Sequence, residues 1–189
     1  MHGNHDGLAM LLDHQDLFAF ENHGARHLVP ILGDGAMFGL PIAGTLANVR
    51  REVEEGSIAI RDATGLTSTW YRGATARYSP EALPEIQKLG FKIAAYSLSA
   101  DLGASLPAAK VARRMLNAKD GDVIIGHINQ PHRSSGEGIA QGILELRNAG
   151  FSFVHLNELN PVLARDPPAA ETSHGGRRKN HVTGAGVAL

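Results

Sequence analysis

The stretch GEGIAQGILELRNAGFSFVHL, residues 136–156, decides the fold class. Its apolar residues recur at the spacing of one helix face, at Ile139, Ile143 and Leu146. Gly150 can adopt the left-handed conformation that ends a helix, and the apolar run 151–156 that follows it predicts a strand. The stretch is therefore predicted to form one helix–strand unit of an α/β domain.

The same order of helix, glycine and strand recurs upstream. Ser79 is expected to N-cap a helix that ends at Gly90, and residues 91–96 then predict a strand. Further helices are predicted over 8–14, 45–63 and 107–118, and further strands over 17–20, 70–72 and 122–126. Residues 33–44 are rich in Gly and Pro and predict a long irregular loop. Strands that alternate with helices indicate a parallel sheet, either open or closed into a barrel.

Composition limits the classes of function. The chain has 189 residues with 18 Lys and Arg against 19 Asp and Glu, a balance that argues against a general binder of nucleic acid or acidic membranes. It has no cysteine, which excludes a disulfide framework, a thiolate metal site and a cysteine nucleophile. Any metal must then be held by histidine and carboxylate, and 10 histidines are many for this length.

The sequence does not indicate the cellular compartment in which the protein works. No apolar run approaches the ~20 residues that cross a bilayer. Residues 1–7 lack the basic start and apolar middle of a signal peptide, so the compartment is left open. From about residue 160 the composition shifts to Pro, Gly, Ala and a basic run. We expect one domain over 1–159 and a disordered tail over 160–189.

Chemically capable side chains follow four of the predicted strands. His23 and His27 follow the first strand, and two imidazoles four residues apart can face one metal ion if the segment turns helically. Arg72, Asp101 and His127 follow later strands. Because active-site groups gather at the carboxyl ends of parallel strands, these five residues form a candidate active site. The alternatives are unrelated loop histidines, a structural histidine, a salt-bridged surface arginine and a turn-capping aspartate.

Four motifs, taken in order, resemble the polysaccharide deacetylase family, which is also known as the NodB-homology family or carbohydrate esterase family 4. They are ENHGARH at 21–27, WYRG at 70–73, GDVIIGH at 121–127 and GFSFV at 150–154. The resemblance covers about residues 8–159 and implies a distorted (β/α) barrel. It also implies a metal-dependent hydrolase of amide bonds other than peptide bonds, one that removes N-acetyl groups from carbohydrate and commonly uses zinc.

The resemblance implies a role for each candidate residue. His23 and His27 would ligate the metal together with an aspartate, and His127 would be the general acid that protonates the leaving amine. Arg72 would orient the catalytic base, and Asp101 would tune His127. The implied partner is an acetylated amino-sugar polymer or a related amide, while no nucleic acid or membrane span is expected. Members of the family often work in the cell envelope or outside the cell.

The sequence departs from the family pattern at several points. The motif that supplies the metal and base aspartates should end an early strand before His23, and the first 22 residues contain no such motif. We therefore expect a barrel without its first βα unit and an enzyme that is weak or inactive as this chain. Arg72 is followed by Gly73, Ala74 and Thr75 in place of the usual Pro and Tyr, and Leu102 and Gly103 stand where a Trp is usual.

Two alternatives stay open. A relative that has kept the scaffold without catalysis would be a sugar-binding pseudoenzyme. The short motif GNHD at 3–6 instead matches calcineurin-like metallophosphoesterases and would place Asn4, His5 and His127 around two metals. This last interpretation leaves the other candidate residues unexplained.

Overall fold

The computed structural model describes residues 5–158 and the strand at 181–187. The chain divides into two compact units, Met1–Ala95 and Tyr96–Leu189, which are described one at a time. Both contain helices and parallel strand pairs, so the mixed α/β class predicted from the sequence is confirmed. The described strands form three sheets, and closure into a barrel stays a prediction.

The first unit holds two small sheets. Its described elements are α1 (His5–Asp13), β1 (Val29–Leu32), β2 (Ala36–Met37), β3 (Leu40–Gly44), α2 (Leu46–Thr64), β4 (Trp70–Tyr71), α3 (Ala82–Lys88) and β5 (Lys92–Ile93). Strands β1 and β3 pair in parallel, and β2 pairs with β3 in the antiparallel sense. Strands β4 and β5 form a separate parallel pair.

Helix α2 is the main support of the first unit. The Thr45 hydroxyl accepts a hydrogen bond from the Asn48 N–H at 3.2 Å and so caps the start of the helix. Gly65, at φ 73°, ends it in the left-handed conformation. The apolar face of α2 packs against Tyr71 and Ile86 in one buried core. The same face lies beneath the loop that carries the histidine pair, as shown below.

The second unit holds one sheet. Its described elements are β6 (Leu98–Ser99), α4 (Ala108–Met115), β7 (Val123–Gly126), α5 (Ser135–Asn148), β8 (Ser152–Val154) and β9 (His181–Val187). The strands are all parallel in the order β6-β7-β9-β8. Gly138 and Gly142 let α5 approach α4 closely, since a Cβ at either position would lie 2.5 Å from a heavy atom of α4.

Three predictions in the first unit are wrong. Residues 17–20 form no strand, because Phe20 is buried with Leu11 and Ile60 in a small apolar cluster and makes no ladder. The loop over 33–44 contains the hairpin of β2 and β3, whose two turn residues both have positive φ. Ser79 does not cap α3, because its hydroxyl accepts a hydrogen bond from the Leu32 N–H at 2.9 Å.

The tail expected to be disordered, 160–189, lies mostly outside the described residues. Strand β9 falls within it and lies between β7 and β8, which it pairs with on either side. The sequence predicts no strand here, since glycine and alanine surround its few β-branched residues.

In the alternative GNHD motif, Asn4 is outside the described residues and His5 begins α1. Within the described residues, no helix is long and apolar enough to span a membrane.

Candidate active site

The loop that carries the histidine pair starts from a short bridge to β4. The Asn22 N–H donates to the Trp70 carbonyl at 3.0 Å, and the Arg72 N–H donates to the Asn22 carbonyl at 2.9 Å. The buried Asn22 side chain donates to the Val53 carbonyl at 2.7 Å and accepts from the Gly24 N–H at 2.8 Å. The backbone on both sides of His23 is therefore fixed to β4 and to α2.

Glu52 on α2 shapes the rest of this loop. Its carboxylate is 1% exposed, and one oxygen accepts hydrogen bonds from the N–H groups of Arg26 at 2.8 Å and Leu28 at 3.0 Å. Its other oxygen lies 3.4 Å from the Arg26 guanidinium. Removing the partners of a buried carboxylate costs free energy of folding, because the charge is then buried without compensation. Glu52 thus ties the loop around His27 to the helix.

Sequence reasoning misses Glu52, although a signal for it exists. The buried side chains of α2 recur at helical spacing through Val49, Val53 and Ile60. Glu52 lies beside Val53 within that same stripe and is an acidic residue on an otherwise apolar face. A carboxylate at such a position indicates a polar partner inside the fold.

The imidazoles of His23 and His27 lie side by side. Their ring centroids are 5.0 Å apart and their planes are inclined by 62°. The Nδ1 atom of His23 lies 2.5 Å from the Arg72 carbonyl oxygen. Because a carbonyl only accepts, Nδ1 carries the proton and the lone pair is on Nε2, the tautomer that a metal-ligating histidine needs.

The donor set for a metal is incomplete among the described residues. No group of three or more His, Cys, Asp or Glu side chains in that part of the chain is arranged to hold a metal ion. A zinc site normally takes at least three protein ligands. The two imidazoles therefore fit part of a metal site, and the third ligand that the resemblance implies is not among the residues described.

Arg72 is buried, so it is not a surface residue. The residue is 6% exposed, and its Nε donates to the Ala94 carbonyl at 3.3 Å. The Arg72 carbonyl also orients His23, as described above. Next to it, burial raises the pKa of Tyr71 and of Tyr78, which therefore stay neutral. The Arg72 guanidinium carries a permanent positive charge.

Asp101 and His127 form a pair in the second unit. The Nδ1 of His127 lies 3.0 and 3.2 Å from the two carboxylate oxygens, and the His127 N–H donates to the second of these oxygens at 2.7 Å. The carboxylate also accepts from the Gly103 N–H at 3.2 Å. The Asp101 residue is fully buried, while the His127 side chain is 29% exposed. The imidazole is thus held at Nδ1, and the side chain remains partly exposed.

The charge of Asp101 follows from this geometry. Burial by itself would raise the pKa of Asp101, but hydrogen bonds from the His127 ring and backbone outweigh it and hold that pKa below its ordinary value. The carboxylate is therefore ionised at neutral pH. A buried anion beside Nδ1 fixes the tautomer of His127.

Strained backbone is concentrated beside these residues. Of the six described non-glycine residues with positive φ, five lie at or shortly after a candidate residue, namely His27, Thr75, Ala76, Leu102 and Ala104. Such conformations cost about 1–3 kcal/mol each and persist only where surrounding contacts impose them. The loops that follow Arg72 and Asp101 are therefore held in specific shapes.

The structure brings the predicted residues together in two groups. His23, His27 and Arg72 are in contact through side chain or backbone in the first unit. Asp101 and His127 are in contact in the second unit. The pairing of Asp101 with His127 is the contact that the sequence resemblance implies.

No protein-family model and no curated protein sequence matches the chain. Solved structures do match it. A family 4 acetyl xylan esterase from Clostridium thermocellum in complex with cobalt has 21% identity and a TM-score of 0.64, over 87% of this chain and 74% of the other. The peptidoglycan deacetylase PdaC from Bacillus subtilis, as a mutant, has 17% identity and a TM-score of 0.66, over 86% and 72%.

A third match is a mutant, with restored enzymatic activity, of a CE4 family pseudoenzyme from Bacillus anthracis. It has 16% identity and a TM-score of 0.60 over 78% of this chain. The chain spans about half the length of that protein, 48%. At these identities the matches establish architecture, and the chain has the fold of the CE4 deacetylases and esterases.

Proposed function

We propose that the chain is a carbohydrate deacetylase that hydrolyses the N-acetyl amide of an amino sugar. The contact between Asp101 and His127 carries this proposal, because it holds an imidazole by its Nδ1 against a buried carboxylate and leaves the side chain partly exposed. The CE4 fold and the four ordered sequence motifs support it. The neighbours named for acetyl xylan and peptidoglycan indicate a polymeric acetylated carbohydrate as the substrate class.

His127 acts as the general acid. Amide hydrolysis adds water across the C–N bond, and the nitrogen leaves as an amine only after it has gained a proton. The Nε2–H of a protonated His127 delivers that proton, while the ionised Asp101 holds Nδ1 and stabilises the imidazolium before transfer. The acetyl carbon keeps the oxygen of water and leaves as acetate, while of the two protons of that water one restores the proton given up by His127 and the other passes to solvent.

Arg72 is a positioning residue. It holds His23 through its carbonyl, and its buried guanidinium places a permanent positive charge in the first unit. The family resemblance gives the corresponding arginine the task of orienting a carboxylate base. The described residues before His23 contain no aspartate at the end of a strand that could be this base.

His23 and His27 are the residues that would hold a divalent metal, with zinc as the metal that the resemblance implies. When bound, such a metal polarises the acetyl carbonyl. Because the described residues offer two imidazoles and no third ligand, we expect weak metal binding and slow turnover.

A non-catalytic sugar-binding protein is the second candidate function. The incomplete donor set favours it, and a CE4 pseudoenzyme is among the structural neighbours. This candidate predicts that an acetylated amino-sugar oligomer binds to the chain and is released unchanged.

One experiment separates the two candidates. An N-acetylglucosamine oligomer is incubated with the purified chain and with His127→Ala in the presence of Zn²⁺ or Co²⁺, and acetate release and oligomer affinity are both measured. We expect slow acetate release by the unchanged chain, about a 100-fold loss in His127→Ala from removal of the acid, and similar affinity in both. The exposed His14→Ala is the matched control and should behave as the unchanged chain. Binding without any release by the unchanged chain would favour the pseudoenzyme.

A further inference from the structure

The hairpin of β2 and β3 carries an exposed aromatic side chain at its tip. Phe38 and Gly39 are its two turn residues, since Met37 pairs with Leu40 on either side of them. Phe38 is 80% exposed, more than any other large apolar residue in the described part of the chain. It also belongs to none of the three apolar clusters that the described residues form. Its ring therefore contributes little burial to the folding of the first unit.

The backbone of Phe38 is held in a conformation that its side chain disfavours. It is the sixth of the described non-glycine residues with positive φ, at 51°, and Gly39 follows at 80°. Two-residue turns with positive φ at both positions normally take Asn or Asp and then Gly, because a bulky side chain is strained there. A phenylalanine that is both strained and exposed indicates a role in binding and not in folding.

Strand pairing places this tip at the same end of its sheet as the histidine loop. Strands β1 and β3 run in parallel, with Val29 opposite Ile42. His27 lies two residues before Val29 in the chain, and Leu40, which closes the turn, lies two residues before its own partner position on β3. Because paired strands are only about 4.8 Å apart, both chains enter the sheet side by side. Phe38 and the histidine pair therefore share one end of this sheet.

The loop that follows Arg72 reaches the same hairpin. The Thr75 hydroxyl lies 4.0 Å from the sulfur of Met37, the residue that directly precedes Phe38. Thr75 comes three residues after Arg72, whose carbonyl orients His23. The hairpin tip is thus connected to the candidate site of the first unit by a side-chain contact as well as by strand pairing.

We propose that Phe38 stacks on a pyranose ring of the substrate next to the acetylated sugar. This inference rests on the proposed function and adds a positioning residue to it. The C–H face of a pyranose is apolar and packs on the electron-rich face of an aromatic ring. Residues 33–44 contain no Lys or Arg, and Asp34 is their one charged residue, so the hairpin lacks the cations that bind anionic lipid. An oligomer gains from Phe38 a contact that a shorter sugar does not reach.

The test measures how binding depends on the length of the sugar. N-acetylglucosamine oligomers of two and of five sugars are titrated by calorimetry into the unchanged chain and into Phe38→Ala, Phe38→Trp and Phe38→Asn. Leu17→Ala is the matched control, because Leu17 is a 63% exposed apolar residue in another turn of the first unit. Thermal unfolding and acetate release are recorded for every variant. Binding to vesicles of phosphatidylglycerol is measured separately.

We expect the longer oligomer to bind the unchanged chain more tightly by about tenfold. Phe38→Ala and Phe38→Asn should lose most of this preference, while Phe38→Trp and the control should keep it. Because Asn is favoured at positive φ and no packing is lost, Phe38→Asn should also unfold at a temperature about 2 °C higher. A variant that is more stable and binds less tightly is the result that a purely structural role would not give.

Three kinds of result would overturn the inference. The first is equal affinity of the unchanged chain for both oligomers, or an undiminished preference in Phe38→Ala. The second is loss of the preference in the control, or a lower unfolding temperature for Phe38→Asn. The third is binding to vesicles that depends on Phe38. Absence of acetate release would count against the proposed function alone, because the affinities decide the role of Phe38 without turnover.

Discussion

At Asp101 a buried carboxylate accepts N–H groups from the His127 ring, the His127 backbone and Gly103. These contacts were predictable only in part. The sequence indicates that Asp101 and His127 follow different strands, and the family resemblance links them. The bond from the Gly103 N–H lies in the left-handed loop at 102–104, which no residue pattern predicts because Leu102 and Ala104 disfavour positive φ.

Asp101→Asn tests the charge of this carboxylate. Because the pKa of Asp101 lies below its ordinary value in the folded chain, its contribution to stability is present above that ordinary value and is lost as the pH falls through the lowered one. We expect the variant to lose about 1–3 kcal/mol of unfolding free energy at pH 7, and a smaller difference at acid pH. Urea unfolding at both pH values measures it, with the exposed Asp62→Asn as control. An equal loss at both pH values would contradict the account.

At the scale of elements, the regular helices follow the sequence closely. Helix α2 was predicted over 45–63 and spans Leu46–Thr64, because Thr45 and Gly65 supply caps that act locally. The strand predicted over 17–20 is absent because apolar residues indicate only that a segment is buried. Here the buried side chains pack in an apolar cluster, and the backbone does not pair with another strand. The partners of Glu52 in the histidine loop lie more than 20 residues away along the chain, so the pattern of α2 indicates a buried carboxylate but does not identify what it contacts.

Gly24→Ala tests how tightly the histidine loop is fitted to α2. Gly24 has φ 90°, and a Cβ there would lie 2.5 Å from a Glu52 carboxylate oxygen. Gly33 has φ 102° with nothing within 4 Å, so Gly33→Ala has only the backbone cost. We expect Gly24→Ala to lose about 2 kcal/mol more than Gly33→Ala, from the displaced carboxylate. Equal losses in thermal or urea unfolding would show that Glu52 does not constrain the loop.

The adjacent imidazoles of this loop predict metal binding that can be measured independently of catalytic activity. Each of His23→Ala and His27→Ala should weaken Co²⁺ binding by about tenfold or more, because either change leaves one donor. The visible absorption of bound Co²⁺ and calorimetry report the binding. His14→Ala should leave the binding unchanged. If both single variants bound Co²⁺ as tightly as the unchanged chain, His23 and His27 would not be metal ligands.

At the scale of the whole molecule, the fold class is the most predictable property. Alternating helices and strands, glycines at helix ends and the ordered motifs together indicated the CE4 architecture, with which solved structures agree. Strand β9 was not predictable, since its position between β7 and β8 depends on pairing across the sheet. Arg72, Asp101 and His127 were identified because they follow strand ends, whereas the spacing of His23 and His27 indicated that pair and the strand predicted before them is absent. Their supports, Glu52 and Asn22, were missed because both act through tertiary contacts.

The most direct test of the central claim, that His127 protonates the leaving amine, compares two leaving groups. Single-turnover acetate release is measured for the unchanged chain and for His127→Ala, on an N-acetylglucosamine oligomer and on 4-nitrophenyl acetate, whose phenolate leaves without a proton. We predict a loss of about 100-fold on the amide and of less than about threefold on the activated ester. Equal losses on both substrates would contradict the role of His127 as general acid.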